Sequence, residues 1–528
     1  IKHRHPCCWR HKIPLVFLST KQWFIDIDDE LIKFLKYGIE NFIQWIPAWG
    51  KNRMMNMITS RPDWCISRQR LWGVPIVFLF DTDSNKFYDN MSYVMKYISE
   101  RVKMYGTDIW NDLDIHKLFE IESRYLKVND VLDVWYDSSN VFYFLLNKYK
   151  FYNIPFSLCL EGSDQYRGWF QVSLIMSSII CSDVQCASIL THGFVLDEFD
   201  KKMSKSLNNV ISPNDILNKY GADILRLWVA SSNYNVDVNI SEKILLRICD
   251  SYRRIRNTMR FLLSNLYDFD SNFDLLDVKK FLSIDLWILY SLFNMQEVVL
   301  NFYKNYNFHF VCKNIHNFCV DELSSKYLDI IKDRLYTSKK NSASRRAAQT
   351  VIYYVVILIS KLLSPILSFT SEEVWKMIFG NNSKTIFLPS IRFDIVSFDL
   401  NISFWNNIFF LREEVNKFFE KYRQNNIIKS TLDSNLLIYC SEEIYNFLLP
   451  VKNELHYFFI TSSVELFVIN QKFSFFENTA IDGFYLCIEK SFLKKCERCW
   501  HRSVENQMNL CNRCIDNLYY DGEKRYFV

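Results

Sequence analysis

The period of the hydrophobic pattern changes near residue 240, and that change limits the folds open to this chain. Residues 61–240 alternate short strand-like and longer helix-like runs, the pattern of an α/β sheet domain. Phe156 to Leu160 reads as a strand, Gly168 to Ile180 as a helix, and Ile189 to Leu196 as the next strand. Residues 241–395 carry helical periodicity instead. In Ser251 to Leu263, the apolar Ile255, Met259 and Leu262 share one face. Thr370 and Glu373 fit a capping box ahead of a further helix. From about 396 the pattern is mixed, and from Lys494 it is short, polar and rich in Cys. One uniform architecture is excluded.

The 528 residues are 49% hydrophobic, enough for several cores, and 23% charged, too few for a disordered chain. A net charge of +4 neither requires nor excludes nucleic acid, so local clusters must decide. Most of the fifteen Cys stand singly in apolar runs, and no secretory signal peptide is seen. A reducing, cytoplasmic setting is therefore expected. Val351 to Phe369 is apolar, but Lys361 and Pro365 interrupt it; it reads as a buried core helix, and no membrane partner is expected. Ile1 stands where a start would place Met, so the chain is expected to begin inside a longer reading frame or after a cleavage.

Polar loops follow both strand candidates, where open α/β sheets bind ligands. After the first comes Glu161-Gly162-Ser163-Asp164-Gln165. Ionised Glu161 only accepts hydrogen bonds, which suits ribose hydroxyls or a substrate ammonium. Trp135 and Trp169 are either plain core or the walls of an aliphatic pocket. After the second strand comes Lys202-Met203-Ser204-Lys205-Ser206. It is either a solvated basic turn or a flexible loop whose ammoniums and hydroxyls meet a triphosphate, stabilising charge as pyrophosphate leaves. Arg253, Arg256 and Arg260 share one helical face, as a solvated face or as a stripe for RNA phosphates. Cys496-x-x-Cys499 and Cys511-x-x-Cys514 have the spacing of a closed structural zinc site; the alternative is two unrelated thiol pairs. Lys494, Lys495, Arg498, Arg502 and Arg513 surround it, a further candidate RNA contact.

The Lys202–Ser206 pentapeptide, in that order, resembles the signature loop of the class I aminoacyl-tRNA synthetases. Lys205 matches the ATP-contacting lysine of that signature, with Lys202, Ser204 and Ser206 beside it. The usual Leu-Gly-Asn continuation is Leu207-Asn208-Asn209 here, and Asn tolerates a left-handed backbone. Arg61 to Pro75 resembles the return from an inserted editing domain. Leu132 to Ser139 resembles an element lining the amino-acid pocket. Glu161 to Phe170 resembles the adenylate-binding loop of the isoleucyl branch, with Tyr166 where His is common and no role inferred for it. Ser251 to Arg260 and Tyr327 to Arg334 resemble that branch's anticodon-binding domain. A terminal four-Cys module separates it from the valyl and leucyl branches.

The resemblance implies an α/β Rossmann-like catalytic core, incomplete in this chain, then an all-α anticodon-binding bundle, a mixed C-terminal region and a small zinc-ribbon module. The implied boundaries are 1–60, the tail of an inserted editing domain and the junction; 61–240, the C-terminal half of the core; 241–395, the bundle; 396–485, the mixed region; and 486–528, the zinc module. The implied activity is ATP-dependent ligation of isoleucine to isoleucine tRNA, with Mg²⁺ accompanying ATP, one structural zinc, and a monomeric enzyme. Glu161, Asp164, Gln165, Trp135 and Trp169 would hold the aminoacyl-adenylate, and Arg253, Arg256 and Arg260 the tRNA. The family's His-x-Gly-His signature and most of its editing domain do not occur in the sequence. Two rivals stand: a valyl or leucyl enzyme, and a non-catalytic tRNA-binding relative.

Overall fold

Two units make up the computed structural model: residues Ile1–Val195 with Tyr234–Val238, and residues Leu196–Asn233 with Asn239–Val528. It describes all residues except 1–4, 9–10, 82, 150–154, 205–207, 389, 391–397, 470–476 and 505–508.

In the first unit, β1 (Gln44–Ile46), β2 (Cys159–Gly162) and β3 (Ser188–His192) form a parallel sheet with β3 central. Its first strand lies ahead of residue 61. The helix after β2, α1 (Trp169–Cys181), is apolar nearly all round and is buried from Phe170 to Ser178. That burial fits the crossover between parallel strands. The expected strand over Phe156 to Leu160 begins later, at Cys159, and runs through Glu161, while Phe156 makes only a bridge to Cys186. Ile189 to Leu196 divides into β3 and a short strand Val195–Leu196, because Gly193 breaks the run. An ideal Cβ at Gly193 would lie 2.3 Å from the Val236 carbonyl oxygen, a backbone approach open only to glycine.

The second unit contains α2 (Glu242–Ser264), α3 (Ser283–Lys304), α4 (Asp329–Thr337), α5 (Ala343–Leu363) and α6 (Ser368–Phe379), packed around one apolar core. Ile255, Met259 and Leu262 of α2 are buried, as their spacing predicts. α5 is the core helix read in Val351 to Phe369; it ends at Leu363, ahead of Pro365, and its most apolar window is 83% buried. The capping box at Thr370 and Glu373 does not form. α6 starts earlier, at Ser368, so both residues lie inside the helix. Thr370 instead donates to Asp223, and Glu373 pairs with Arg256. Ahead of α4 the chain runs as π-helix over Phe318–Leu328, with the Ser324 hydroxyl donating to the Cys319 carbonyl at 2.6 Å.

Farther along, β4 (Ser434–Cys440) pairs in parallel with β5 (Ser463–Val468) and antiparallel with β6 (Phe484–Lys490). Strict alternation along β4 buries Leu436, Ile438 and Cys440. The four cysteines follow β6, and α7 (Asn512–Tyr519) starts directly after Cys511.

Candidate aminoacyl-adenylate, phosphate and metal sites

In the first unit, polar side chains gather at the carboxyl ends of β2 and β3. Glu161 is the ladder partner of Thr191, and Gly162 of His192. The chain then makes one 3₁₀ turn, Ser163–Tyr166. Glu161 and Asp164 are exposed. The Gln165 amide donates to Asp164 at 3.1 Å, and its oxygen accepts the Trp169 backbone N–H at 3.1 Å, so Gln165 closes the first turn of α1. An ideal Cβ on Gly168 would lie 2.7 Å from that oxygen and 2.8 Å from the Trp135 ring. Trp135 and Gln165 thus both approach Gly168, where a side chain would have to displace them. The Trp169 indole N–H donates to the Ser138 carbonyl at 3.1 Å. Trp135 is 38% exposed, and Trp169 is half-buried and packed against the core of this unit.

The segments around Arg61 and Leu132, far apart in sequence, meet at Asp133. Its carboxylate pairs with Arg68 at 2.9 Å, accepts the Trp64 indole N–H at 3.2 Å, and caps the helix Val134–Ser139 that carries Trp135. That helix start is thus tied to the strand leaving Trp64.

In the second unit, Asn209 and Asp197 brace the Lys/Ser loop. Asn209 accepts the Ser204 backbone N–H at 2.9 Å and donates to Asp197 at 2.8 Å. The Asn209 hydrogen bond, with the amides of Lys201 and Phe199, holds the Asp197 carboxyl below the usual carboxylate range. Asn208 adopts φ +52°, the left-handed backbone expected where the family pattern has Gly. Lys202 is exposed and bridges to Leu196. Lys205 and Ser206 lie outside the described residues.

The arginine stripe on α2 is exposed. Arg253 pairs with Asp250 at 2.7 Å, and Arg256 forms two bonds to Glu373, at 2.9 and 3.0 Å, which raise its pKa further. Arg256 and Arg260 line a groove of about 960 Å³ with Tyr267, Tyr353 and Met377.

The four terminal cysteines are buried, and their sulfurs lie within 4.8 Å of one another. Cys499 Sγ and Cys511 Sγ are 3.6 Å apart. A disulfide needs about 2.05 Å, whereas sulfurs about 2.3 Å from a tetrahedral zinc stand roughly 3.8 Å apart. The Cys511 backbone N–H points at Cys496 Sγ at 3.4 Å, which suits a thiolate. The donor set fits zinc. Its flanking arginines do not form a free basic surface. Arg513 binds Asp333 of α4 at 2.6 and 2.8 Å, Arg498 donates to the Thr337 carbonyl at 2.5 Å, and Arg502 bonds Asp433 at 2.8 Å. Lys494 and Lys495 remain exposed, with Lys495 over the Trp500 ring.

Residues 12–241 match the family of class I tRNA synthetases (I, L, M and V), and residues 285–438 match the anticodon-binding domain of tRNA ligase. The isoleucine--tRNA ligase of Buchnera aphidicola subsp. Cinara cedri (strain Cc) is 42% identical over 542 residues, covering 100% of this chain and 58% of that protein. The chain belongs to the class I tRNA synthetases. Another isoleucine--tRNA ligase, from Coxiella burnetii (strain Dugway 5J108-111), is 41% identical over 537 residues, again covering 100% of this chain and 57% of the relative. The synthetase chain thus spans somewhat over half the length of these relatives. Among solved structures, Mycobacterium tuberculosis methionyl-tRNA synthetase in complex with methionyl-adenylate aligns with a TM-score of 0.50 at 16% identity, over 72% of each chain, a likeness of fold.

Sequence reasoning missed Thr191, His192 and Asp197, read Asn209 only within the loop signature's continuation, and gave Tyr166 no role. A polar Thr-His pair closing an apolar strand was the available signal for the first two. Asp197 carries no local signal, because its pairing with Asn209 exists only once the loop is folded.

Proposed function

We propose that this chain supplies part of the amino-acid-activating apparatus and the tRNA-binding region of an isoleucine--tRNA ligase. The observation carrying this reading is identity above 40% to isoleucine--tRNA ligases along its whole length. The reaction runs in two steps. The isoleucine carboxylate attacks the α-phosphate of ATP, giving isoleucyl-adenylate and releasing pyrophosphate. A ribose hydroxyl of the terminal adenosine of isoleucine tRNA then attacks the acyl carbon of the adenylate, forming the ester and releasing AMP.

The carboxylate nucleophile is already ionised at neutral pH, so no general base is required. Catalysis is positioning and charge stabilisation. Glu161 and Asp164 accept from the substrate ammonium or ribose hydroxyls. Gln165 orients the turn, and Trp135 with Trp169 walls the aliphatic side chain. Lys202 and Lys205, with Ser204 and Ser206, hold the phosphates; Mg²⁺ bound with ATP would neutralise phosphate charge. Arg253, Arg256 and Arg260 meet tRNA phosphates. Cys496, Cys499, Cys511 and Cys514 would hold one structural zinc, with no open coordination position for chemistry. We place the enzyme in the cytoplasm, as a monomer, with the domain boundaries given by the resemblance, except that the core sheet also takes the strand Gln44–Ile46 from ahead of residue 61.

The test is amino-acid-dependent ATP–pyrophosphate exchange by the longest natural reading frame containing this chain. Isoleucine should support it far better than valine or leucine. Preference for valine or leucine, or no exchange with any amino acid, would contradict the reading.

A further inference from the structure

The six residues 161–166 are closed into a staple by one threonine. Glu161 pairs with Thr191 through the β2–β3 ladder. Five residues on, the Tyr166 hydroxyl returns to the same residue, 2.9 Å from Thr191 Oγ1. Between these two attachments stand Asp164 and Gln165. The outer side chains face solvent, yet Tyr166 and Thr191 are each only 1% exposed.

The surroundings are built around the tyrosine. Its ring stacks with Trp45 at 6.3 Å and 21°, meets Phe170 edge-on at 5.6 Å, and lies 4.8 Å beneath the Arg53 guanidinium. An ideal Cβ on Gly50 would sit 2.1 Å from its hydroxyl. Gly50 occupies the first turn of the helix Trp49–Thr59, where Ala would be the better helix former. The glycine leaves room for the phenol. A buried hydroxyl that loses its partner cannot turn to water, so this bond fixes the turn rather than decorating it.

We propose that Tyr166 is a positioning residue for adenylate formation: through Thr191, it holds the turn carrying Asp164 and Gln165 in register with Glu161. The proposal rests on the isoleucine-activating reading above. It acts through geometry, since Tyr166 and Thr191 are buried while Glu161 and Asp164 are exposed.

The experiment measures isoleucine-dependent ATP–pyrophosphate exchange and tRNA affinity in the longest natural reading frame containing the chain. Tyr166→Phe and Thr191→Val should each lower kcat/KM for isoleucine by about fivefold, the effect of one hydrogen bond. The double variant should fall no further than either single one. Thr191→Ser, which keeps the hydroxyl, should retain the parent value, and the Kd for tRNA should not move in any variant. Parent-level kcat/KM in Tyr166→Phe, multiplicative losses in the double variant, or a loss in Thr191→Ser equal to that in Thr191→Val would overturn the assignment. So would an equal loss of tRNA affinity, which marks a merely structural bond. Absence of isoleucine-dependent exchange in the unaltered protein is a different failure: it removes the reaction itself, and the positioning role with it.

Discussion

At the sheet end of the first unit, Glu161 and Asp164 face solvent while Tyr166 and Thr191 are buried beneath them. At the cysteine end of the second unit the polarity is reversed: Asp333, Arg513 and Arg525 turn inward and bind one another. Burial alone would raise the Asp333 carboxyl, but Arg513 and Arg525 hold it well below the usual range. Both knuckles read Cys-x-Arg-Cys, and both arginines end on α4, at Asp333 and at Thr337. Charge near a motif therefore has two meanings. Outward charge on a buried support is available to a ligand; charge folded inward joins parts of the protein. The Asp285–Arg334 pair, fully buried with the Tyr327 hydroxyl 2.7 Å from Asp285, is the extreme of the second kind.

The largest test of this contrast is Arg334→Met. It strands Asp285 in the core and should cost about 3–5 kcal/mol in urea unfolding. Glu161→Gln should stay within about 0.5 kcal/mol of the parent, as an exposed substitution does; equal costs would break the comparison. Next, Cys511→Ser should abolish zinc content by mass spectrometry and increase hydrogen exchange at the end of α4. Arg513→Ala should retain zinc yet produce the same exchange increase, because it removes only the docking bond. A third effect concerns Asp268. Burial would raise its carboxyl, but bonds from Arg345 and Gln349 hold it below the ordinary range. With its folded pKa depressed, its contribution is present above about pH 4 and is lost as pH falls through the folded value. Asp268→Asn should therefore destabilise at pH 7 and flatten the acid limb of a denaturation-versus-pH curve. The smallest effect is Asn209→Ala, which removes the bond from the Ser204 amide to Asn209 and should raise the KM for ATP about fivefold with unfolding nearly unchanged.

Much of this was legible beforehand. Helical spacing located the buried face of α2, and the interrupted apolar run at 351–369 became a core helix that ends before Pro365. The Cys spacing anticipated four converging sulfurs, and Asn208 adopts the left-handed backbone that Asn tolerates. What escaped depends on partners distant in sequence. The capping box failed because Asp223, nearly 150 residues before Thr370, takes its hydroxyl. The π-helical run Phe318–Leu328 was not anticipated; it packs on several helices of the second unit. The arginines in and beside the cysteine knuckles read as a candidate RNA contact because their partners, Asp333 for Arg513, the Thr337 carbonyl for Arg498 and Asp433 for Arg502, lie elsewhere in the chain.

The most direct test of the central claim is binding of this chain to a panel of purified tRNAs at moderate salt. The account predicts clear preference for isoleucine tRNA, weakened by Arg260→Ala. Preference for valine or leucine tRNA, or equal binding of all, would contradict it.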